Sequence, residues 1–350
     1  MNPLLRFWPL NWESQKLKSM SQIYGIDLSK EKFNVNFCNQ QREIVELEVQ
    51  NTYNSICEFL SSIKDPVTFC IEHTGLYGDL LVFLANSFHF VICAIPGYEI
   101  KHSLGLQKGK SDPIDAARIR EYGERFTDKL IPAKYASEVM HELRELHNLR
   151  QALVKDRKVL LTQQKDKGRL PFKSVKAHQI ADQTIGYLTK QIIAVEKEIQ
   201  DIIDAHQELK ENSELIQSIK GIGPVTANEL IIKTHNFQKI NTARKASSFA
   251  GICPYPNSSG KMVKKSRISS MGDRSLKTLL YLCSTSAITF NKDIKHYYHR
   301  KKAEGKPSYL VLNNVANKLL RTIYAILESR QMYDPNYLCM DPRVAEKKVA

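Results

Sequence analysis

Between Gln22 and Arg125 the sequence alternates short apolar runs with polar breaks, and this order constrains the fold more than any other feature. Ile23–Leu28, Phe33–Cys38 and Glu43–Val49 each have a strand's length and tight connections, which predicts an antiparallel meander. A helix over about Ser55–Ile63 follows, then a fully apolar strand at Val67–Ile71. A helix at Tyr77–Ser87, a strand at Phe90–Ile95 and a helical stretch from Asp112 to about Arg125 complete an α/β domain.

Three meander strands followed by strands alternating with helices is the order of a ribonuclease-H-like fold. Beyond it the apolar period lengthens. Ile185, Leu188, Ile192, Val195, Ile199, Ile202 and Leu209 step by three and four, interrupted only by His206. An earlier run carries Val139, Leu143, Leu146, Leu149, Leu153 and Leu160, and Gly168 and Pro171 lie between the two. The spacing predicts an antiparallel helical hairpin or a coiled-coil dimer arm, and an ordinary bundle within one subunit satisfies it equally. A compact, mainly helical domain should follow, opening at Ser218-Ile-Lys-Gly-Ile-Gly-Pro-Val-Thr-Ala227. The expected divisions are an extension over 1–21, an α/β domain over 22–134, an arm over 135–215, a C-terminal domain over 216–330 and a tail over 331–350. Residues 1–20 hold both tryptophans but lack a signal peptide's basic start and cleavage site, and Met20 competes with Met1 as the start of translation.

Composition narrows the function. With 42% hydrophobic residues among 350, the chain can bury a substantial core, and no run of about 18 uncharged apolar residues offers a membrane span. The seven cysteines form no CxxC pair and no zinc-like spacing with histidine, which fits a reducing cytosol. Lys and Arg outnumber Asp and Glu by 51 to 37, giving a formal charge of +14 and a pI near 9.3. Most of that excess lies between Gly251 and Arg330, where 15 basic residues face 4 acidic ones. Lys261, Lys264, Lys265 and Arg267, then Arg274 and Lys277, are opposed locally by Asp273 alone, a density suited to phosphate contacts.

Two acids stand where apolar strands run out: Asp27 in Tyr24-Gly-Ile-Asp-Leu-Ser-Lys30 and Glu72 in Phe69-Cys-Ile-Glu-His73. Asp112 and Asp115 follow in Lys110-Ser-Asp-Pro-Ile-Asp-Ala116, on one face of a helix that Pro113 opens. Asp112 also suits a helix cap. Four converging carboxylates would repel one another unless hard divalent cations neutralised them. Mg²⁺ or Mn²⁺ there could position a phosphodiester and stabilise a leaving oxygen. An actin-like ATPase shares the Gly-Ile-Asp strand but needs a second glycine-rich phosphate loop and an adenosine motif, and neither is present.

Lys220-Gly-Ile-Gly-Pro224 has the form of a helix-hairpin-helix turn, in which Gly221 and Gly223 let backbone approach a phosphate, although the same turn also serves plain helix packing. In Phe249-Ala-Gly-Ile-Cys-Pro-Tyr-Pro-Asn-Ser-Ser-Gly260, Ser259 sits in a loop among lysines and arginines, with no GxSxG motif or Ser/His/Asp context around it.

Together these motifs, in this order, resemble the DEDD family of insertion-sequence transposases and Piv-type DNA invertases, some of which are bridge-RNA-guided recombinases. The resemblance runs from about Gln22 to Arg330 and includes Phe249-Ala-Gly251, Ser259-Gly260 and Arg267-Ile-Ser-Ser-Met-Gly-Asp-Arg274. It implies a RuvC-like N-terminal domain, a coiled-coil arm and a C-terminal transposase domain. It makes Asp27, Glu72, Asp112 and Asp115 the metal-binding acids and Ser259 the nucleophile of a covalent phosphoserine link, with Ser258 as the neighbouring alternative. Lys261 and Arg267 are candidates for stabilising the phosphorane. Donor and target DNA, a bridge RNA in the transposase branch, and a homo-oligomer (a dimer, or a tetramer in the synaptic complex) are the implied partners, in a bacterial cytoplasm. A RuvC-like nuclease using metal-bound water, an invertase without an RNA guide, and a non-catalytic nucleic-acid-binding derivative are the alternatives.

Overall fold

The computed structural model describes residues 22–335, apart from 74, 104, 106–110, 134, 136, 170–171, 173 and 260–261, with backbone alone at 76, 167 and most of 256–267. The expected extension over 1–21, Lys110, Lys261 and the tail beyond 335 lie outside the described residues. The chain divides into two compact units, 1–135 and 136–350.

The first unit is built on a five-stranded mixed sheet. Its strands are β1 (Gln22–Leu28), β2 (Lys32–Cys38), β3 (Ile44–Gln50), β4 (Val67–Glu72) and β5 (Val91–Ile95), in the order β3-β2-β1-β4-β5. β1–β2 and β2–β3 pair antiparallel as the meander predicts, while β1–β4 and β4–β5 are parallel. Side chains alternate between faces along a strand. Tyr24, Ile26, Leu28, Phe69, Ile71 and Ile92 therefore face one way, into a core with helices α1 (Tyr53–Ser62) and α2 (Asp79–Ser87). Ile23, Cys70, Cys93 and Ile95 face the other way, against α3 (Gly97–Ser103) and α4 (Asp112–Arg125). Helix α3 adds to the elements expected from the sequence, and at Tyr77, the expected start of α2, a 3₁₀ turn over Gly75–Gly78 precedes the α-helix.

Glycines set how closely α4 lies on the sheet. A Cβ on Gly25 would overlap the Ala116 carbonyl oxygen and the Arg120 amide of α4. One on Gly123 would come within 2.7 Å of Cys70 Sγ and 2.8 Å of Ile23 Cγ2. The helix thus runs antiparallel to β1, with its first turn towards the end of β1 that carries Asp27.

In the second unit, α5 (Glu138–Lys167) and α6 (Val175–Ala205) form an antiparallel hairpin. Arg150 pairs with Glu196 at 2.6 Å, Arg157 donates to Thr189 at 3.4 Å and Gln164 donates to Asp182 at 3.1 Å. These contacts advance by heptads up one helix as they descend the other. The apolar repeat does not run unbroken to Leu209: His206 is extended (φ −115°, ψ 108°), and a separate α7 (Gln207–Gln217) begins after it. Leu149, expected in the seam, is 49% exposed.

The C-terminal elements are α8 (Pro224–Thr234), α9 (Ala243–Phe249), α10 (Arg274–Phe290), α11 (Lys292–Ala303) and α12 (Ser308–Ser329). Leu143, Val195, Ile199 and Ile203 at the base of the hairpin share one core with Ile216, Leu230, Leu280, Leu319 and Ile323. The expected serine loop is instead a two-stranded antiparallel ribbon, β6 (Pro254–Ser259) and β7 (Met262–Ile268). Its two ends are clamped, since a Cβ on Gly251 (φ +65°) would lie 2.9 Å from Gly272 Cα.

Candidate active site

Asp27 and Glu72 are brought side by side by strand register. β1 and β4 pair in parallel up to Ile26 and Ile71, so the next residue on each strand is one of the two acids. Adjacent strands lie about 4.8 Å apart, and both acids continue the rows that face α4. Both are half-buried at the carboxyl edge of the sheet. Glu72 has room because its neighbour is a glycine: a Cβ on Gly97 would overlap the Glu72 carboxylate. On the other side of β1, Asp27 is paired in register with Asn34 of β2.

The first turn of α4 supplies the other two acids. Pro113 opens the helix behind the extended Ser111, where no backbone donor is needed. Asp112 is exposed and contributes to holding the Lys32 ammonium above its ordinary pKa, secondary to the Glu48 carboxylate that pairs with Lys32 at 2.6 Å. Asp115 is half-buried and pairs with Arg118 at 2.8 Å. Deeper along the helix, Arg120 Nε donates to the buried Asn36 side chain at 2.8 Å, and its guanidinium pairs with Glu124 at 2.6 Å.

Among the described residues no group of three or more His, Cys, Asp or Glu side chains is gathered closely enough to hold a metal ion. Like charges disfavour one another, and Arg118 holds one of the four acids.

In the second unit, Ser259 ends β6 opposite Met262, directly before the ribbon's turn. Lys264, Lys265 and Arg267 lie on β7; their side chains and that of Ser259 are outside the described residues. Arg274 is exposed in the first turn of α10, and the Lys277 ammonium lies 5.8 Å from the centre of the Tyr281 ring. In the Lys220–Pro224 turn, Gly221 (φ +107°) packs on α10, where a Cβ would come within 2.7 Å of the Ala287 amide. Gly223 faces open space and Lys220 is exposed. Of the two uses that its sequence allowed, Gly221 is spent on packing.

The sequence reading missed a buried polar network beneath these elements. Glu229, 2% exposed, receives a hydrogen bond from Ser275 Oγ at 2.6 Å and an ion pair from Lys233 at 2.9 Å, with His147 at 3.5 Å. Lys233 also donates to both Asp273 carboxylate oxygens at 2.7 Å, while Asp273 caps α10 by accepting from the Leu276 amide. Burial is the main reason that His147 is held below its ordinary pKa. The signal was present: an acid and a lysine four apart inside the apolar stretch Asn228-Glu-Leu-Ile-Ile-Lys233.

Two transposase families match successive parts of the chain. Residues 24–166 match the transposase family DEDD_Tnp_IS110, and residues 213–299 match the transposase family IS116/IS110/IS902. The pilin gene-inverting protein of Moraxella bovis is 24% identical over 90% of this chain and 98% of its own length. The 42 kDa protein of insertion element IS900 from Mycobacterium paratuberculosis is 22% identical over 89% of this chain and 96% of its own. Among solved structures, T. thermophilus RuvC in complex with a Holliday junction substrate aligns with 33% of this chain and all of its own, at 11% identity and a TM-score of 0.25. No described helix is long and apolar enough to cross a membrane. With both halves matched in order and relatives that span nearly its whole length, the chain belongs to the family of DEDD-type insertion-sequence transposases and Piv-type DNA invertases, enzymes that cleave and rejoin DNA.

Proposed function

We propose that this protein is a DNA recombinase that cuts and rejoins strands through Ser259, assisted by the acids of its ribonuclease-H-like, RuvC-like unit. The observation that carries this reading is the register that sets Asp27 beside Glu72, on the sheet face covered by the helix bearing Asp112 and Asp115. An all-carboxylate donor set has the chemistry of a hard divalent cation's ligands, although in this arrangement the acids are not yet gathered around one point. Asp27, Glu72, Asp112 and Asp115 would hold Mg²⁺ or Mn²⁺, which when bound would offset negative charge on the phosphodiester.

The chain's own residues supply the rest. Ser259 Oγ loses its proton and attacks phosphorus; a serine–phosphate bond forms as the phosphorus–deoxyribose bond breaks, and the departing oxygen takes up a proton. A second strand's hydroxyl reverses the step on a new partner, so the phosphodiester energy is kept and ATP is not required. Lys261 and Arg267 would balance the charge that develops on the phosphorane. Lys220, Gly223, Lys264, Lys265, Arg274 and Lys277 would contact backbone phosphates without reading sequence. Sequence choice would then fall to a bridge RNA pairing with donor and target DNA, in a homo-oligomer where acids and serine come from different subunits. This activity belongs in the cytoplasm, on DNA.

Ser259→Ala should abolish cleavage and the covalent protein–DNA adduct while leaving DNA binding intact. Normal cleavage by that variant refutes the serine, and cleavage by the native chain without a trapped adduct favours the hydrolytic nuclease. The likeness to the pilin gene-inverting protein supports inversion as the second reading. Sequencing RNA that co-purifies with the protein separates the two, because inversion needs no guide.

A further inference from the structure

Helix α11 carries a charged surface that the site described above does not use. Over Lys292–Lys302 it holds five Lys and Arg residues against a single acid, Asp293. Ile294 is buried and anchors one side of the helix, which packs between α10 and α12. With 3.6 residues per turn, Lys292, Lys295, His296, His299 and Arg300 fall on the opposite side, and all five are exposed. Local acids do not cancel this face. Glu304 is taken by Lys301 at 2.8 Å and Lys306 at 3.3 Å, and among the described residues Lys292 and Lys295 have no ion-pair partner.

The aromatic residues of the helix support the surface. Tyr297 is half-buried, and its ring has Lys318 of α12 at 5.1 Å, Arg300 at 5.7 Å and Lys301 at 6.0 Å. Attraction to one aromatic ring holds the guanidinium of Arg300 and the ammonium of Lys318 beside Tyr297. Beyond the turn at Gly305, Tyr309 stands 75% exposed at the start of α12. The outward face offers no Asn or Gln to read base edges. Twelve residues of helix span roughly 18 Å, enough to follow several successive phosphates along one strand.

We infer that α11 is a second nucleic-acid contact, a docking surface for the phosphodiester backbone of duplex DNA outside the cleavage site. It rests on the recombinase reading. Its role is to hold flanking duplex without sequence preference, so its contribution is electrostatic and depends on salt.

The test is the salt dependence of binding to a non-specific DNA duplex, compared between the native chain and Lys292→Gln/Lys295→Gln/Arg300→Gln. A second triple variant, Lys64→Gln/Lys190→Gln/Lys239→Gln, removes the same charge from scattered exposed positions. Each lost phosphate contact lowers the log–log salt slope by about 0.9, so the α11 variant should lose roughly 2–3 units of slope and the scattered variant much less. Cleavage at saturating DNA should persist in the α11 variant. An unchanged slope, or equal loss in both variants, overturns the assignment while leaving the recombinase intact. Loss confined to duplex RNA overturns the choice of DNA. A native chain that binds no duplex overturns the recombinase reading, and the surface with it.

Discussion

Replacing Gly25 by alanine adds one methyl group where the structure has no space for it. The new Cβ would overlap the Ala116 carbonyl and the Arg120 amide, and would lie 2.7 Å from Arg120 Cβ. Two of those three obstacles are helix backbone, which cannot rotate away, so α4 must lift from β1. Overpacking a core typically costs about 1–3 kcal/mol, and rigid obstacles put this substitution near roughly 3 kcal/mol. At about 1.4 kcal/mol per tenfold, the opening equilibrium of the β1–α4 layer rises roughly a hundredfold. Amide hydrogen exchange read by mass spectrometry over β1 and α4 measures it directly. The control is Gly186→Ala in α6, where nothing lies within 4 Å and the exchange of Gly for Ala should stabilise the helix by about 1 kcal/mol. Cleavage should fall by roughly a hundredfold or more in the Gly25 variant, because Asp112 and Asp115 ride on the displaced helix and ångström errors in positioning carry penalties of that size. Exchange indistinguishable from the native chain would refute the close packing of α4 on β1, and with it the placement of all four acids.

Two further outcomes follow from buried charge. Lys233→Met leaves the Glu229 carboxylate buried with only Ser275, Gln151 and His147 around it, and should cost roughly 3–5 kcal/mol in urea unfolding; adding Glu229→Gln should recover part of that loss, and no recovery would mean that the charge is not the cause. His235 is held near pH 4 instead of 6.5, first by burial and then by Arg144, whose guanidinium lies 2.8 Å from its Nε2. The folded ring binds fewer protons than the unfolded one between those values, so its stability contribution is complete above pH 6.5 and is lost as pH falls towards 4. The ring is partly exposed, so the loss should be about 1–2 kcal/mol, and His235→Asn, which keeps the left-handed backbone at φ +52° accessible, should flatten the acid limb of the stability profile.

The first unit was legible because period-two alternation is a strong signal and its strands carry it cleanly. The rows Ile23-Gly25-Asp27 and Cys70-Glu72 fall on the α4 face, and Ile26 and Ile71 on the other. Even Gly25, a residue that weakens a strand, could have been read as a place where another backbone approaches. The ribbon was not legible, because Pro254 and Pro256 argue against a strand. Pro254 begins β6 and Pro256 falls at the register shift between Tyr255 and Asn257, positions where a missing amide disturbs the pairing least. The break at His206 left no glycine or proline to mark it. Packing decides it there: Ile203 and Leu209 both enter the C-terminal core, and a continuous helix would have carried the chain past it.

Charge partition is where sequence and structure diverge with the most consequence. In the sequence Asp273 sits among Arg267, Arg274 and Lys277 and reads as their local counter-ion. In the structure both of its oxygens are taken by Lys233, whose ammonium also answers Glu229. One ammonium shared by two carboxylates leaves this group with an excess negative charge, so Asp273 still acts on Arg274, which is exposed one residue further along α10. The acid that tempers the positive charge at the start of α10 therefore has a second task, because its Oδ1 accepts from the Leu276 amide and fixes where the helix begins. Because Asp273 follows Gly272, which packs on Gly251 at the base of the ribbon, the same ion pair also fixes the ends of the two strands leading to Ser259. One half-buried lysine thus ties the buried Glu229 to the anchorage of the serine ribbon, which is why its removal should disturb this region without any change at the ribbon itself.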